Sequence, residues 1–279
     1  MPYLNTTDGT ALFFRDWGSG DPVVFVHGWG LNSDMWEYQL PELVDQGLRC
    51  VAYDRRGCGR SDQPGYGYDF DTLADDLGAV IDQLDLRDVT LVSHSMGSGE
   101  VARYLTRHGA GRVARVALIS PTLPYLMRDE SNPEGVDRAA FDQIVAALRA
   151  DRPGYLTGLG RAALGADLPG VSVSEPLMMW ALGLFLPSSP KASIDTVRTH
   201  TETDLRGDMA SFTVPTLIVH GDQDALVPFE VSGRRAAEMI DDCTLVVYEN
   251  ASHWPFVTHR ERLNEELAAF AKRALMRQT

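Results

Sequence analysis

The segment Leu91-Val92-Ser93-His94-Ser95-Met96-Gly97-Ser98-Gly99 sets a serine between a run of β-forming apolar residues and a small-residue stretch that opens a helix. A serine at the tip of a sharp strand-to-helix turn has a strained backbone and an exposed hydroxyl, and the residues two before and two after it must be small. Ser93 and Gly97 meet that demand. A hydroxyl is a weak nucleophile at neutral pH and needs an adjacent base. Of the seven histidines, His253 is the candidate, because it stands in the loop Tyr248-Glu249-Asn250-Ala251-Ser252-His253-Trp254-Pro255 between the last expected strand and the final helix. His94 is expected to pack sideways and His27 ends a strand. His108, His200 and His259 read as solvated or capping groups in helical or flanking segments. An acid must orient the imidazole and stabilise its positive charge. Asp222 and Asp224 both follow the strand Pro215–His220; Asp224 is preferred for this role and Asp222, nearer the strand end, for organising the turn.

Such a nucleophile also needs two backbone donors aimed at the developing oxyanion. The amide of Met96 is one candidate, helped by the positive end of the following helix dipole. His27-Gly28-Trp29-Gly30 offers the other, through the amide of Trp29. Trp29, Met178, Trp180, Phe185 and Trp254 are the candidates for an apolar substrate wall; for Met178, Trp180 and Phe185, packing within their own segment is an equal reading. Asp54-Arg55-Arg56-Gly57-Cys58-Gly59-Arg60-Ser61-Asp62 is a second Gly-rich loop. It lacks the Walker lysine and the dinucleotide-binding spacing and is read as support for the active end of the sheet.

These groups need a scaffold that delivers them to one edge. Short apolar runs bounded by Gly, Pro and Asp predict strands at Val23–His27, Arg49–Tyr53, Val89–Ser93, Val113–Ile119, Pro215–His220 and Thr244–Tyr248. Between them, Leu73, Leu77, Val80, Ile81 and Leu84, and later Leu263, Leu267, Phe270 and Ala274, follow helical spacing. Strands alternating with helices predict an α/β fold, a mostly parallel sheet with helices on both faces. The alternation stops over 122–209, where helices are expected near Arg138–Ala150, Gly154–Leu164, Glu175–Phe185 and Ser193–Thr203. This segment reads as a helical cap over the carboxyl ends of the strands, where such folds bind ligands, leaving 1–121 and 210–279 as the core.

Composition narrows the partners. The formal net charge of −14 disfavours nucleic acid and anionic membrane surfaces. Apolar residues at 44% and charged residues at 23% suit a globular chain with a large core. Cys50, Cys58 and Cys243 are too few for a disulfide framework and suit reduced thiols. Met1–Asp8 is polar and no apolar run is long enough to span a bilayer, so a cytoplasmic protein is expected, with homo-oligomerisation left open.

The order Ser95, Asp224, His253 is that of α/β-hydrolases. Phe25-Val26-His27-Gly28-Trp29, Met35-Trp36-Glu37, Tyr53-Asp54-Arg55-Arg56-Gly57-Cys58-Gly59-Arg60-Ser61, Asp69-Phe70-Asp71-Thr72-Leu73-Ala74-Asp75-Asp76-Leu77, Ser93-His94-Ser95-Met96-Gly97 and His220-Gly221-Asp222-Gln223-Asp224 resemble the cofactor-free bacterial haloperoxidases and the related aryl esterases and perhydrolases. The resemblance implies an α/β-hydrolase fold with a triad at Ser95, Asp224 and His253, oxyanion donors at Trp29 and Met96, and no metal or haem. It implies cleavage of small, aryl or lactone esters through an acyl-enzyme, with peracid formation as an alternative. Two departures stand out: Gly30 where many perhydrolase-like members carry proline, and Trp254-Pro255 directly after His253. Dehalogenase or epoxide-hydrolase chemistry would require a carboxylate at position 95. A noncatalytic ligand-binding protein would be compatible with the same residues.

Overall fold

The computed structural model describes residues 2–272. Eight strands form one sheet: β1 (Tyr3–Asn5), β2 (Ala11–Gly18), β3 (Pro22–Val26), β4 (Arg49–Tyr53), β5 (Val89–His94), β6 (Val113–Ile119), β7 (Thr216–Gly221) and β8 (Cys243–Tyr248). Their spatial order is β1-β2-β4-β3-β5-β6-β7-β8. β1 and β2 run antiparallel to their neighbours, and every pair from β4 to β8 is parallel. The six parallel strands lie within one residue of the expected bounds at each end. The β1–β2 hairpin lies outside the strands that the sequence pattern predicts. β1 has only three residues, and β2 buries the adjacent Leu12 and Phe13 before running outward through Arg15 and Asp16, so neither strand shows a long apolar run or a clean alternation.

The parallel strands read as unbroken apolar runs because both faces are covered. Val23, Phe25, Cys50, Ala52 and Val92 face one layer, with Leu40 and Leu43 of α1 (Leu40–Asp45). Val24, Val26, Val51, Tyr53 and Leu91 face the other. There they meet α2 (Phe70–Gln83) through Leu73, Leu77, Val80 and Ile81, and α3 (Gly97–His108) through Val101 and Leu105. α2 starts where Asp69 accepts a hydrogen bond from the Thr72 amide at 2.9 Å, an N-cap that satisfies an otherwise orphan donor.

Four helices stand between β6 and β7: α4 (Arg138–Ala150), α5 (Arg152–Ala163), α6 (Glu175–Phe185) and α7 (Pro190–Glu202). α4 and α6 coincide with expectation. α5 and α7 begin earlier than expected because their caps lie upstream: Asp151 accepts from the Gly154 amide at 3.0 Å and Ser189 from the Ala192 amide at 3.1 Å, each with a proline in the first turn. After β7 the chain forms α8 (Gly233–Met239), and after β8 it forms α9 (Pro255–Thr258) and α10 (Arg260–Ala271). Leu263, Leu267 and Phe270 of α10 are buried; Ala274, expected on the same face, lies outside the described residues. Among the described residues, no helix is long and apolar enough to cross a membrane.

Candidate active site

Ser95 lies just beyond β5 with φ +52°, in the left-handed region that non-glycine residues seldom occupy. The strain is held from several directions. The Ser95 amide donates to the Ile119 carbonyl at 2.9 Å, while its own carbonyl accepts from the Ser98 hydroxyl at 2.7 Å. Gly97 is required by space: a Cβ there would lie 2.8 Å from the Val26 carbonyl oxygen and 2.9 Å from that of His27.

The Ser95 hydroxyl donates to His253 Nε2 at 3.0 Å, and His253 Nδ1 donates to Asp224 Oδ2 at 2.7 Å. The three side chains come from the ends of β5, β7 and β8 and are nearly enclosed, with Ser95 and His253 each 6% exposed. The His253 loop passes close over the end of β7. A Cβ at Gly221 would collide with the Ala251 carbonyl, and Gln223 donates its amide to that carbonyl at 3.0 Å.

Asp224 also organises its own turn, the role expected of Asp222. Its Oδ1 accepts from the amides of Leu226 at 3.0 Å and Val227 at 2.9 Å, whereas the Asp222 side chain is exposed. His220 Nε2 lies 2.9 Å from the Val227 carbonyl and 3.2 Å from Asp224 Oδ2. Burial alone would raise the Asp224 pKa, but the facing His253 and the His220 hydrogen bond outweigh it and hold the carboxyl well below the ordinary range. Asp224 is therefore an ionised acceptor at neutral pH, suited to stabilising an imidazolium.

The amides of Trp29 and Met96 make no hydrogen bond to any group among the described residues, which leaves both donors available. The loop carrying Trp29 is clamped on two sides. Arg55 donates from Nη2 to the His27 carbonyl at 2.7 Å, and His27 Nε2 accepts the Arg55 amide at 2.9 Å. Burial, reinforced by the Arg55 charge, pushes the His27 pKa well down, so the ring is neutral. On the other side, Trp29 Nε1 donates to the Ser193 carbonyl at 3.0 Å and Ser188 donates to the Gly30 carbonyl at 2.6 Å. Gly30 has φ +66°, a conformation closed to proline. The second Gly-rich loop thus supports this end of the sheet through Arg55 and through Asp54, which accepts the Ser33 amide at 2.8 Å.

A cavity of about 130 Å³ opens on Ser95 and His253. Its core-side wall includes Trp29, Leu31, Leu226, Val227 and Trp254, and helices α4 to α7 add Ile144, Tyr155, Leu159, Phe185, Val197 and His200. Of the expected substrate wall, Trp29, Phe185 and Trp254 line this cavity. Met178 and Trp180 do not: Trp180 stands behind, edge-on to Trp254 at 6.3 Å and to Tyr38 at 5.8 Å, and Met178 packs half-buried against the apolar core. Trp180 lies about 140° around α6 from Phe185, and Met178 stands about two turns before it, so Phe185 alone of the three reaches the cavity.

Two lining residues escaped the sequence reading. His94 donates from Nε2 to the His253 carbonyl at 3.0 Å, with the two rings 4.7 Å apart; its pKa is driven well down by burial first and then by His253. His200 reaches the cavity from α7. Neither carries a distinguishing motif; the available signal for His94 is its place beside Ser95.

A family model described as the alpha/beta hydrolase fold matches residues 21–260. The chain belongs to the α/β-hydrolase family. This hydrolase is 40% identical to a non-heme chloroperoxidase of Kitasatospora aureofaciens, over 97% of this chain and 99% of that one. It is 38% identical to a bifunctional esterase/perhydrolase of Acinetobacter calcoaceticus, over 98% and 100% of the two chains. The crystal structure of a bromoperoxidase from Bacillus anthracis superposes with a TM-score of 0.92 at 37% identity, covering 97% of this chain and 100% of the other.

Proposed function

We propose that this hydrolase cleaves small carboxylic esters through an acyl-enzyme on Ser95. The observation that carries the reading is the unbroken hydrogen-bond chain from Ser95 through His253 to Asp224 at the floor of an apolar cavity. Ser95 Oγ bonds to the ester carbonyl carbon while His253 Nε2 takes the hydroxyl proton, and the oxyanion meets the free amides of Trp29 and Met96. Collapse expels the alcohol, which leaves with the proton from Nε2. Water then attacks the acyl carbon, His253 takes its proton, and the acid departs as Ser95 is restored. Asp224 keeps Nδ1 protonated so that Nε2 presents its lone pair.

The cavity, at about 130 Å³, is comparable to one that holds benzene, ~150 Å³, which favours short acyl chains or single aryl rings. With hydrogen peroxide as acyl acceptor the same intermediate would release a peracid, a second reading favoured by the Acinetobacter relative named esterase/perhydrolase.

The test is a chain-length series of p-nitrophenyl esters and a set of lactones, with peracid formation assayed from acetate and peroxide and a fluorophosphonate used to locate the labelled residue. Turnover should fall steeply beyond short acyl chains, the label should sit on Ser95, and Ser95→Ala should lose at least about 10³-fold in kcat/KM. Full activity in Ser95→Ala would end the reading. Negligible turnover of every ester by the parent enzyme would point instead to a ligand-binding protein.

A further inference from the structure

The insertion contributes a polar group that the ester-cleaving chemistry leaves unused. His200, on α7, lines the cavity together with Ser95 and His253. Its Nδ1 lies 2.6 Å from the Thr196 carbonyl oxygen, one helical turn back. A carbonyl only accepts, so Nδ1 carries the hydrogen, and in the neutral ring Nε2 is left with a lone pair. Burial, only partly offset by the Thr196 bond and reinforced by the charge of Arg55, lowers the His200 pKa to about 4. The ring is neutral at physiological pH. No group among the described residues hydrogen-bonds Nε2. Tyr155, the other polar side chain lining the cavity from the insertion, carries a hydroxyl that can donate or accept; neutral His200 with its hydrogen already committed can only accept.

We propose that His200 is a specificity-determining residue whose Nε2 accepts a hydrogen bond from a hydroxyl carried by the substrate, so that hydroxylated esters are preferred over their plain hydrocarbon parents. This rests on the hydrolase reading of Ser95. Its physical basis is the wall around it. His200 is half-buried in the cavity wall, so a hydrocarbon that fills the cavity covers Nε2 and leaves the acceptor unpaired, whereas a ligand hydroxyl replaces the water it displaces. Sites built around a hydrogen bond discriminate strongly against analogues that lack the partner, because the protein group is then stranded. The expected preference is about tenfold to a hundredfold in kcat/KM.

The test compares p-nitrophenyl butyrate with its 2-hydroxy and 3-hydroxy counterparts, and ethyl butyrate with 2-hydroxyethyl butyrate, each rate divided by that of hydroxide hydrolysis to remove intrinsic reactivity. At least one hydroxylated ester should exceed its parent tenfold or more in the wild-type enzyme. That ratio should collapse toward one in His200→Phe, which keeps a planar ring without the lone pair, and should return in part in His200→Gln, whose side-chain oxygen accepts. A wild-type ratio below about threefold for every pair, or a ratio unchanged in His200→Phe, overturns the proposal. If His200→Phe fails to fold, the wild-type series and His200→Gln decide. Fluorophosphonate labelling is scored on every sample. A labelled Ser95 with flat ratios removes only the role of His200, while an unlabelled Ser95 or an active Ser95→Ala removes the hydrolase reading beneath it.

Discussion

Asp224 shows how one side chain can build a turn and serve a site. Its two oxygens divide the work: Oδ1 takes the amides of Leu226 and Val227, and Oδ2 takes the His253 imidazole. Asn at this position would keep one acceptor oxygen but present an amide N–H₂ where either the turn or the imidazole needs an acceptor. Under the proposed mechanism, Asp224→Asn therefore lowers kcat by roughly 10⁴-fold through the wrong imidazole tautomer, read in steady-state ester assays. The same residue sets a pH dependence. Its folded-state pKa is depressed, so the stability it contributes is fully present above the ordinary aspartate value of about 3.9 and is lost as pH falls through the lower folded value. In urea melts across a pH series, the stability gap between the parent and Asp224→Asn should narrow as pH falls below about 4.

At the scale of elements, the loops that carry Trp29 and His253 are tied to the insertion as firmly as to the sheet. Ser252 donates to the Ala162 carbonyl at 2.9 Å and the Trp254 amide to the Ala163 carbonyl at 3.0 Å, so α5 grips His253 on both sides. The Trp29 loop is gripped through Ser193, Ser188 and the bond from Asn32 to the Leu184 carbonyl at 3.0 Å. Gly221 is the point where this arrangement has no slack, because the His253 loop crosses the β7 terminus there. Gly221→Ala should push that loop away from Ser95 and reduce kcat by about 10²-fold, the usual effect of an ångström-scale misplacement. Fluorophosphonate labelling should slow in parallel. Labelling and turnover at parental rates would show that the loop absorbs the methyl group.

The whole molecule is a two-layered core about a sheet, with charges placed inside it. Arg55 and Glu100 are 1% and 0% exposed and pair at 2.7 Å, and Tyr53 donates to the same carboxylate. Since Arg55 also holds the carbonyls of His27 and Gly28, this pair joins β4, α3 and the loop after β3. Neutralising one partner strands the other charge in the interior. Glu100→Gln should cost about 3–5 kcal/mol in chemical denaturation, far more than the ordinary range for a surface ion pair such as Arg49–Asp16, about 0–1 kcal/mol. A loss under 1 kcal/mol would mean that Arg55 finds another partner.

Local sequence determined the central architecture. Parallel strands buried on both faces are continuous apolar runs, and capped helices of eleven or more residues repeat their apolar positions, so both can be read from neighbours in the chain. The turn at Ser95 was legible for the same reason, since its steric demands fall on Ser93 and Gly97. Tertiary structure decided what depends on partners distant in sequence. The β1–β2 hairpin takes its stability from pairing with β4 rather than from its own pattern. Which carboxylate meets His253 is settled by the geometry of the turn after β7, and which aromatic residues of α6 face the cavity by the packing of Trp254 and Phe185, stacked at 5.7 Å. His200 reads like any helical histidine until the fold sets it half-buried in the cavity wall, because partial burial, a carbonyl one turn back and an apolar wall are properties of its surroundings and not of its letter in the sequence.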